Sequence, residues 1–574
     1  METKTIFTPV QRFWRLLKPD SREIKNVYIY AIFSGLVSLS LPLGIQAIVN
    51  LIQGGQISTS WIVLVVFVVL GVAVTGILQI FQLRITENLQ QKIFTRAAFE
   101  FAYRIPRIRL EALYTHYAPE LMNRFFDTIS LQKGLSKILI DFSVASLQVL
   151  FGLILLSFYH PFFIFFSLIL VVLLYAIFRF TSARGLKTSL EESKNKYKVA
   201  YWLEELARTS TTFKLNGNTD LPMQRTDKHV GSYLKARESH FRVLIEQYSL
   251  LIVFKVLVAT GLLAIGGILV MQQMMNIGQF IAAEIIILLV MASVEKLILS
   301  FETVYDVLTA LEKIGQVTDM ELESNQEEGL DLRDHCEQGG VSIELEQVSF
   351  SYPANGKKTL DNLSLSVHAG DKIMVTGENG SGKSTLLQIL AGLYDIQGGN
   401  ISYNGLPKGN LNLDSLRNAI GDSLSEEELF AGTVMENITM GRESVRFEDV
   451  QWAAEHLGLK DFIRSLPKGY DTEINPQGRN LPDSVVQKLI IARSIAGRPN
   501  LVLMEDTLRF IDQAERRKII DFLTSPENPW TLVAISSDEY LKEKSSKVVH
   551  MSKGQIAKIE ETDNLEQIEN NNYA

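Results

Sequence analysis

The stretch KIMVTGENGSGKSTLLQIL, Lys372–Leu390, decides how the second half of this 574-residue chain folds. It reads as a short apolar strand, a glycine-bearing loop and a helix with apolar residues at helical spacing. Its loop, GENGSGKST over Gly377–Thr385, fits the spacing G-x-x-x-x-G-K-[ST] and stands where that motif must stand, after a strand and before a helix. Glycines let backbone N–H groups turn inward onto phosphate oxygens, and the helix N-terminus adds positive potential. Lys383 is expected to reach the terminal phosphates of ATP, and the Ser384 hydroxyl to bind Mg²⁺. The expected ATP-binding segment is therefore Gly377, Glu378, Asn379, Gly380, Ser381, Gly382, Lys383, Ser384 and Thr385.

Outward from this loop the same pattern continues. VSIELEQVSFSY and LDNLSLSVHAG alternate apolar and polar residues as strands do, and NLVLME and TLVAIS are short buried strands. Strands alternating with helices imply an α/β domain with parallel strands over residues 341–560. The last residues, 561–574, read as a disordered tail.

The first half is different. Hydrophobic residues make up 47% of the chain and are concentrated there. Six stretches are long enough to cross a bilayer, near Asn26–Leu51, Ser60–Leu83, Ile138–Tyr159, Phe162–Phe180, Tyr248–Met271 and Asn276–Ile298. The first is too long, and follows too polar a start, for a cleaved signal peptide. The short connections carry no Lys or Arg, whereas Arg84–Leu135 carries eight and Thr181–Gln247 carries twelve. By the positive-inside rule both long loops and both termini are cytoplasmic. Residues 1–25 suit a basic amphipathic helix on the inner membrane surface. The membrane domain is expected over 26–317, its long loops as helices extending below the bilayer. An acidic linker follows over 318–340. A net charge of −8 gives no reason to expect nucleic acid as a partner. Cys336 is the single cysteine, which excludes an intramolecular disulfide framework.

With the phosphate loop, the strand pattern and six spans in this order, nearly the whole chain resembles an ABC exporter half-transporter. That resemblance implies a six-helix membrane domain followed by an α/β P-loop nucleotide-binding domain, in a plasma or inner membrane. It implies a homo- or heterodimer with another half-transporter, and ATP sandwiched between two nucleotide-binding domains. In VSFSYP it implies that Tyr352 stacks on adenine.

Beyond the phosphate loop the chain departs from the family's pattern. The family's Gln after the first helix falls on Ser425. Its L-S-G-G-Q signature aligns with LPDSV, Leu481–Val485, so Pro482 replaces the Ser that meets the γ-phosphate and Asp483 brings negative charge beside it. Proline in a helix's first turn leaves the local fold intact. The family's Asp-Glu pair is inverted as Glu505–Asp506. This makes Glu505 the expected acid at Mg²⁺ and Asp506 the candidate general base, one methylene shorter than usual. Asp512 still matches the Asp that ends the following loop. Ser537 stands where the family has a His that senses the γ-phosphate, and it can donate one hydrogen bond but carry no positive charge. Groups that bind ATP are kept, while groups that act on the transition state or on closure are replaced. Hydrolysis is thus expected to be slow or dependent on a partner.

Lys255 in the fifth span and Glu284 in the sixth lie among apolar residues. Charge at membrane depth marks a pathway by default. Their depths put them within reach of each other or of a shared cavity. The leading reading is ATP-dependent export of an unidentified substrate. The alternative is a membrane scaffold or regulator that binds ATP without pumping.

Overall fold

The computed structural model describes residues 7–53, 59–217, 219–323, 329–336, 339–353, 356–424 and 428–561. The expected tail from residue 562 onward lies outside the described residues, as does Ser425. The chain forms two compact units, Met1–Arg107 with His116–Met320, and Ile108–Thr115 with Glu321–Ala574.

The first unit is helical. Six helices among the described residues are long and apolar enough to cross a membrane: Pro9–Gln53, Thr59–Arg107, Ala118–Ser157, Pro161–Arg208, Leu221–Met271 and Ile277–Thr318. In the second, 0% of the most apolar window is buried within the protein. Val66, Phe67 and Leu70 point outward there, an arrangement that lipid tolerates and water does not. Its continuous helix Thr59–Arg104 has 46 residues, or about 69 Å at 1.5 Å per residue. That is more than twice the roughly 30 Å hydrocarbon core, so the long basic loops are indeed helical extensions of the spans.

The first span is broken. It runs as Ser21–Ser38 and then Ser40–Gln53, with a turn at Leu39. Pro42 has no N–H to give the Ser38 carbonyl, which ends one helix and starts the next. The third and fifth spans contain one-turn π-helical insertions at Ile138–Phe142 and Leu262–Gly266.

The extended helices are zipped by polar contacts. Gln247 Nε2 donates to Thr181 Oγ1 and to Tyr305 Oη, both at 2.8 Å, and the Ser189 and Thr309 hydroxyls bond at 2.8 Å. Gly185 admits the Tyr305 ring, with which any Cβ would collide. The basic amphipathic stretch begins as a helix at Pro9–Leu17, capped by Thr8 and Gln11. Arg12, 8% exposed, lies over Gly315 and donates to Glu312 and Asp319. One buried guanidinium thereby holds the N-terminal helix to Ile277–Thr318.

Among the described residues the second unit has twelve strands: β1 (Ile343–Phe350), β2 (Leu360–Val367), β3 (Lys372–Gly377), β4 (Gly398–Tyr403), β5 (Leu406–Pro407), β6 (Ile420–Ser423), β7 (Gly432–Thr433), β8 (Glu473–Ile474), β9 (Leu501–Glu505), β10 (Thr531–Ile535), β11 (Lys547–Ser552) and β12 (Gln555–Glu561). The main sheet has the order β12-β11-β3-β10-β9-β6. β6, β9, β10, β3 and β11 are parallel, and β12 closes the edge antiparallel. A second, antiparallel sheet runs β2-β1-β4-β5. β9 and β10 are buried along their whole length, as the near-continuous apolar runs require of strands covered on both faces.

Part of the acidic stretch between the halves is ordered against this unit. Leu332 is fully buried in its core, Asp331 accepts from Ser415 Oγ at 2.5 Å, and Arg417 grips Glu323 with two bonds of 2.7 Å. Apolar Leu332 is what the composition of a linker conceals. Cys336 donates to the Leu332 carbonyl at 3.3 Å, and burial raises its thiol pKa, which suits an unreactive thiol. Ile108–Thr115 packs here too. Ile108 bridges to Leu322, and Arg109 pairs with Glu321 and Asp395, both at 3.0 Å.

Candidate nucleotide-binding site

β3 ends in the phosphate loop, and the helix Lys383–Leu390 begins at its last turn. Two glycines are irreplaceable for geometric reasons. Gly377 has φ +146°, and a Cβ there would collide with the Met551 carbonyl. Gly382 has φ +99°, and its Cβ would meet Leu360 at 2.8 Å and the Thr359 carbonyl at 3.0 Å. Lys383 Nζ curls over the loop and donates to the carbonyls of Gly377 (2.8 Å) and Glu378 (3.0 Å). Those bonds hold the ammonium folded back over the loop. Ser381 is 3% exposed and its hydroxyl has no partner among the described residues, an orphan that a phosphate oxygen would satisfy.

β9 delivers the two acids. Glu505 is 9% exposed, and its carboxylate accepts a short hydrogen bond from Ser384 Oγ. Hydroxyl and carboxylate oxygens suit Mg²⁺, which takes one or two such ligands and completes its shell with phosphate and water. The residues present therefore fit that ion. Asp506 is exposed and left-handed at φ +48°, its N–H donating to the Ile535 carbonyl at 3.0 Å. Desolvation, and then the neighbouring charge of Glu505, raise its carboxyl pKa from its ordinary value. A base with a raised pKa loses its deprotonated form earlier as pH falls.

Ser537 is exposed just beyond β10. Its neighbours are engaged: Ser536 Oγ accepts from the Asp538 N–H at 3.1 Å, and Asp538 caps the helix Glu539–Lys544 and pairs with Arg516 at 3.3 Å. Asp506, Thr507, Arg509, Arg516, Ser537 and Asp538 line one cavity of about 510 Å³. Arg509 in this lining escaped the sequence reading, which had no reason to weight an arginine in a turn.

The helix Asp483–Ala496 starts one residue later than expected. Pro482 is its N-cap rather than part of its first turn, with φ −61° and ψ 142° and no side-chain cap bond. Proline's fixed φ suits that extended position, and its carbonyl accepts from the Val485 N–H at 2.9 Å, but its side chain offers the first turn no further acceptor. Asp483 occupies the first turn, so the positive end of this helix already carries a carboxylate.

Tyr352 lies against the phosphate-loop helix. Its hydroxyl bonds Thr385 Oγ1 at 2.9 Å and donates to Gln388 Oε1 at 3.0 Å. Phe350 and Tyr394 stand perpendicular to its ring, and Tyr114 stacks on it with centroids 5.0 Å apart.

In the membrane unit, Lys255 does not meet Glu284. Lys255 Nζ donates to Glu295 at 2.6 Å. Glu295 lies about three turns, roughly 16 Å, from Glu284 along the same helix. Antiparallel packing fixes which residues lie opposite, and apparent depth in the sequence does not. Glu284 is half-buried and makes no ion pair among the described residues. With each side chain of the pair about one-third exposed (32% and 33%), Glu295→Gln is expected to lower stability by about 1–2 kcal/mol. The charge swap Lys255→Glu/Glu295→Lys is expected to restore most of it, as read by thermal unfolding of the detergent-purified protein. Two unrelated losses in the swap would show that the pair contributes nothing.

Comparison with known proteins adds the following. A family model described as "ABC transporter transmembrane region" matches residues 26–294, and one described as "ABC transporter" matches 360–509. The chain is 23% identical over 537 residues to the transport/processing ATP-binding protein ComA of Streptococcus pneumoniae, covering 93% of this chain and 74% of that one. It is 26% identical over 339 residues to the ABC transporter ATP-binding protein y4gM of Sinorhizobium fredii, covering 59% of this chain and 57% of that one. It is 32% identical over 214 residues to the ABC transporter ATP-binding protein YfiB of Bacillus subtilis, covering 37% of this chain and 36% of that one. A solved structure of a bacterial Atm1-family ABC exporter with ATP bound shares the fold, with a TM-score of 0.83 at 19% identity over 96% of each chain.

Proposed function

The chain belongs to the ABC transporters, as a multi-pass membrane subunit of exporter type with an ATP-binding domain, and from that premise we propose that it couples ATP binding to export while hydrolysing ATP slowly or only with a partner. It works as a dimer in the plasma (inner) membrane with both termini cytoplasmic. Tyr352 and the loop Gly377–Thr385 hold the nucleotide, and Ser384 and Glu505 hold Mg²⁺. The substrate path runs past Lys255 and Glu284.

One observation carries the slow-turnover reading. The acid in contact with Ser384 is Glu505, so the acid left to activate water is Asp506, one methylene shorter than glutamate. The signature helix adds a carboxylate where a γ-phosphate would need a donor. Reconstituted protein is therefore expected to release phosphate at well below about 1 s⁻¹, under the ordinary enzyme range. Any substrate it exports should stimulate that rate. Turnover of about 1 s⁻¹ or more without a partner would show that the inverted pair is a competent catalyst.

A further inference from the structure

The two sides of the Tyr352 ring have unlike neighbours. Phe350, 1% exposed, and Tyr394, 8% exposed, belong to the core and stand at 83° and 89° to the ring. Tyr114, 39% exposed, stacks on it at an interplanar angle of 19°. Tyr114 is thus the most exposed of the three rings around Tyr352, and the one that lies parallel to it. Tyr114 follows the short helix Leu110–Leu113, whose segment is tied down by Arg109 on Asp395 and by the Asp395 N–H donating to Glu111 at 3.1 Å. That anchoring holds the Tyr114 backbone beside Tyr352.

We propose that Tyr114 occupies the stacking place of the adenine base, so that ATP must displace the Tyr114 ring to reach Tyr352. The inference rests on the reading of Tyr352 as the base-stacking residue. An aromatic pair and a stacked base draw on the same ring face, so the base gains only the difference between the two contacts. Apparent affinity falls by the fraction of molecules in which Tyr114 has left.

Equilibrium binding of labelled ATP, and its competition by inorganic tripolyphosphate, to the full-length purified protein tests this. Tyr114→Ala is expected to tighten ATP binding roughly two- to tenfold and to leave tripolyphosphate, which has no base, unchanged. Tyr114→Phe keeps the ring and should bind ATP as wild type does. Tyr352→Ala should weaken ATP binding, and adding Tyr114→Ala to it should gain nothing. If Tyr114→Ala leaves ATP binding unchanged or weaker while Tyr352→Ala weakens it, competition is overturned and base stacking stands. An equal gain for tripolyphosphate also overturns it, since the effect would then lie in the phosphate loop. If Tyr352→Ala binds ATP normally while Lys383→Ala does not, both the proposal and the reading beneath it fall.

Discussion

The combined variant Glu505→Asp, Asp506→Glu, Ser537→His, Pro482→Ser, Asp483→Gly, Ser484→Gly is expected to hydrolyse ATP at least a hundredfold faster than wild type, as steady-state phosphate release from the purified protein. Removing one preorganised electrostatic group typically costs about 10²–10³ in rate. Here the base, the γ-phosphate sensor and the signature would all be supplied at once. Such groups act as a unit, so each alone contributes little while the others are missing. Asp506→Glu or Ser537→His singly should therefore raise turnover only slightly. Glu505→Asp alone should do harm, because shortening that side chain draws it away from Ser384. Val485 is kept, since it is 8% exposed within the core of the helical subdomain and a glutamine there would bury an amide. Asp506 is left-handed at φ +48°, a conformation that aspartate adopts more readily than glutamate, which sets some cost on that change. A combined variant no faster than wild type would place the block in dimer closure or in the membrane domain.

Lys383→Ala is expected to weaken ATP binding by roughly 10- to 100-fold, the equivalent of about 1.5–3 kcal/mol for a hydrogen bond to a charged group. In the structure this ammonium sits on the carbonyls of Gly377 and Glu378. The substitution removes the only cation of the loop Gly377–Thr385. Labelled ATP measures the loss directly. A second readout is thermal stabilisation, since a ligand that binds the native state raises the unfolding temperature by mass action. Wild type should gain from ATP and Lys383→Ala should not. Equal binding by the two proteins would mean that the loop is not the nucleotide site.

The sequence by itself determined the features whose physics is local. Lys372–Leu390 specifies strand, loop and helix because the glycines, the lysine and the apolar spacing lie within one short stretch. The six spans are legible because crossing a bilayer demands about 20 apolar residues in a row. Their long helical extensions are legible because the charged loops carry helical spacing and few breakers. Tertiary structure alone decided the pairings. Lys255 has Glu295 opposite it rather than Glu284 because the packing of two antiparallel helices sets the register, which neither helix encodes alone. Leu332 is core rather than linker because one apolar residue in an acidic stretch becomes informative only when a pocket is there to receive it. Pro482 caps its helix because the preceding turn sets the chain's entry direction. Tyr114 meets Tyr352 because Ile108–Thr115, interrupted by sequence from everything it packs on, folds with the second unit. Contacts between residues remote in sequence depend on the whole chain's path, and a pattern read along a short window carries none of that path.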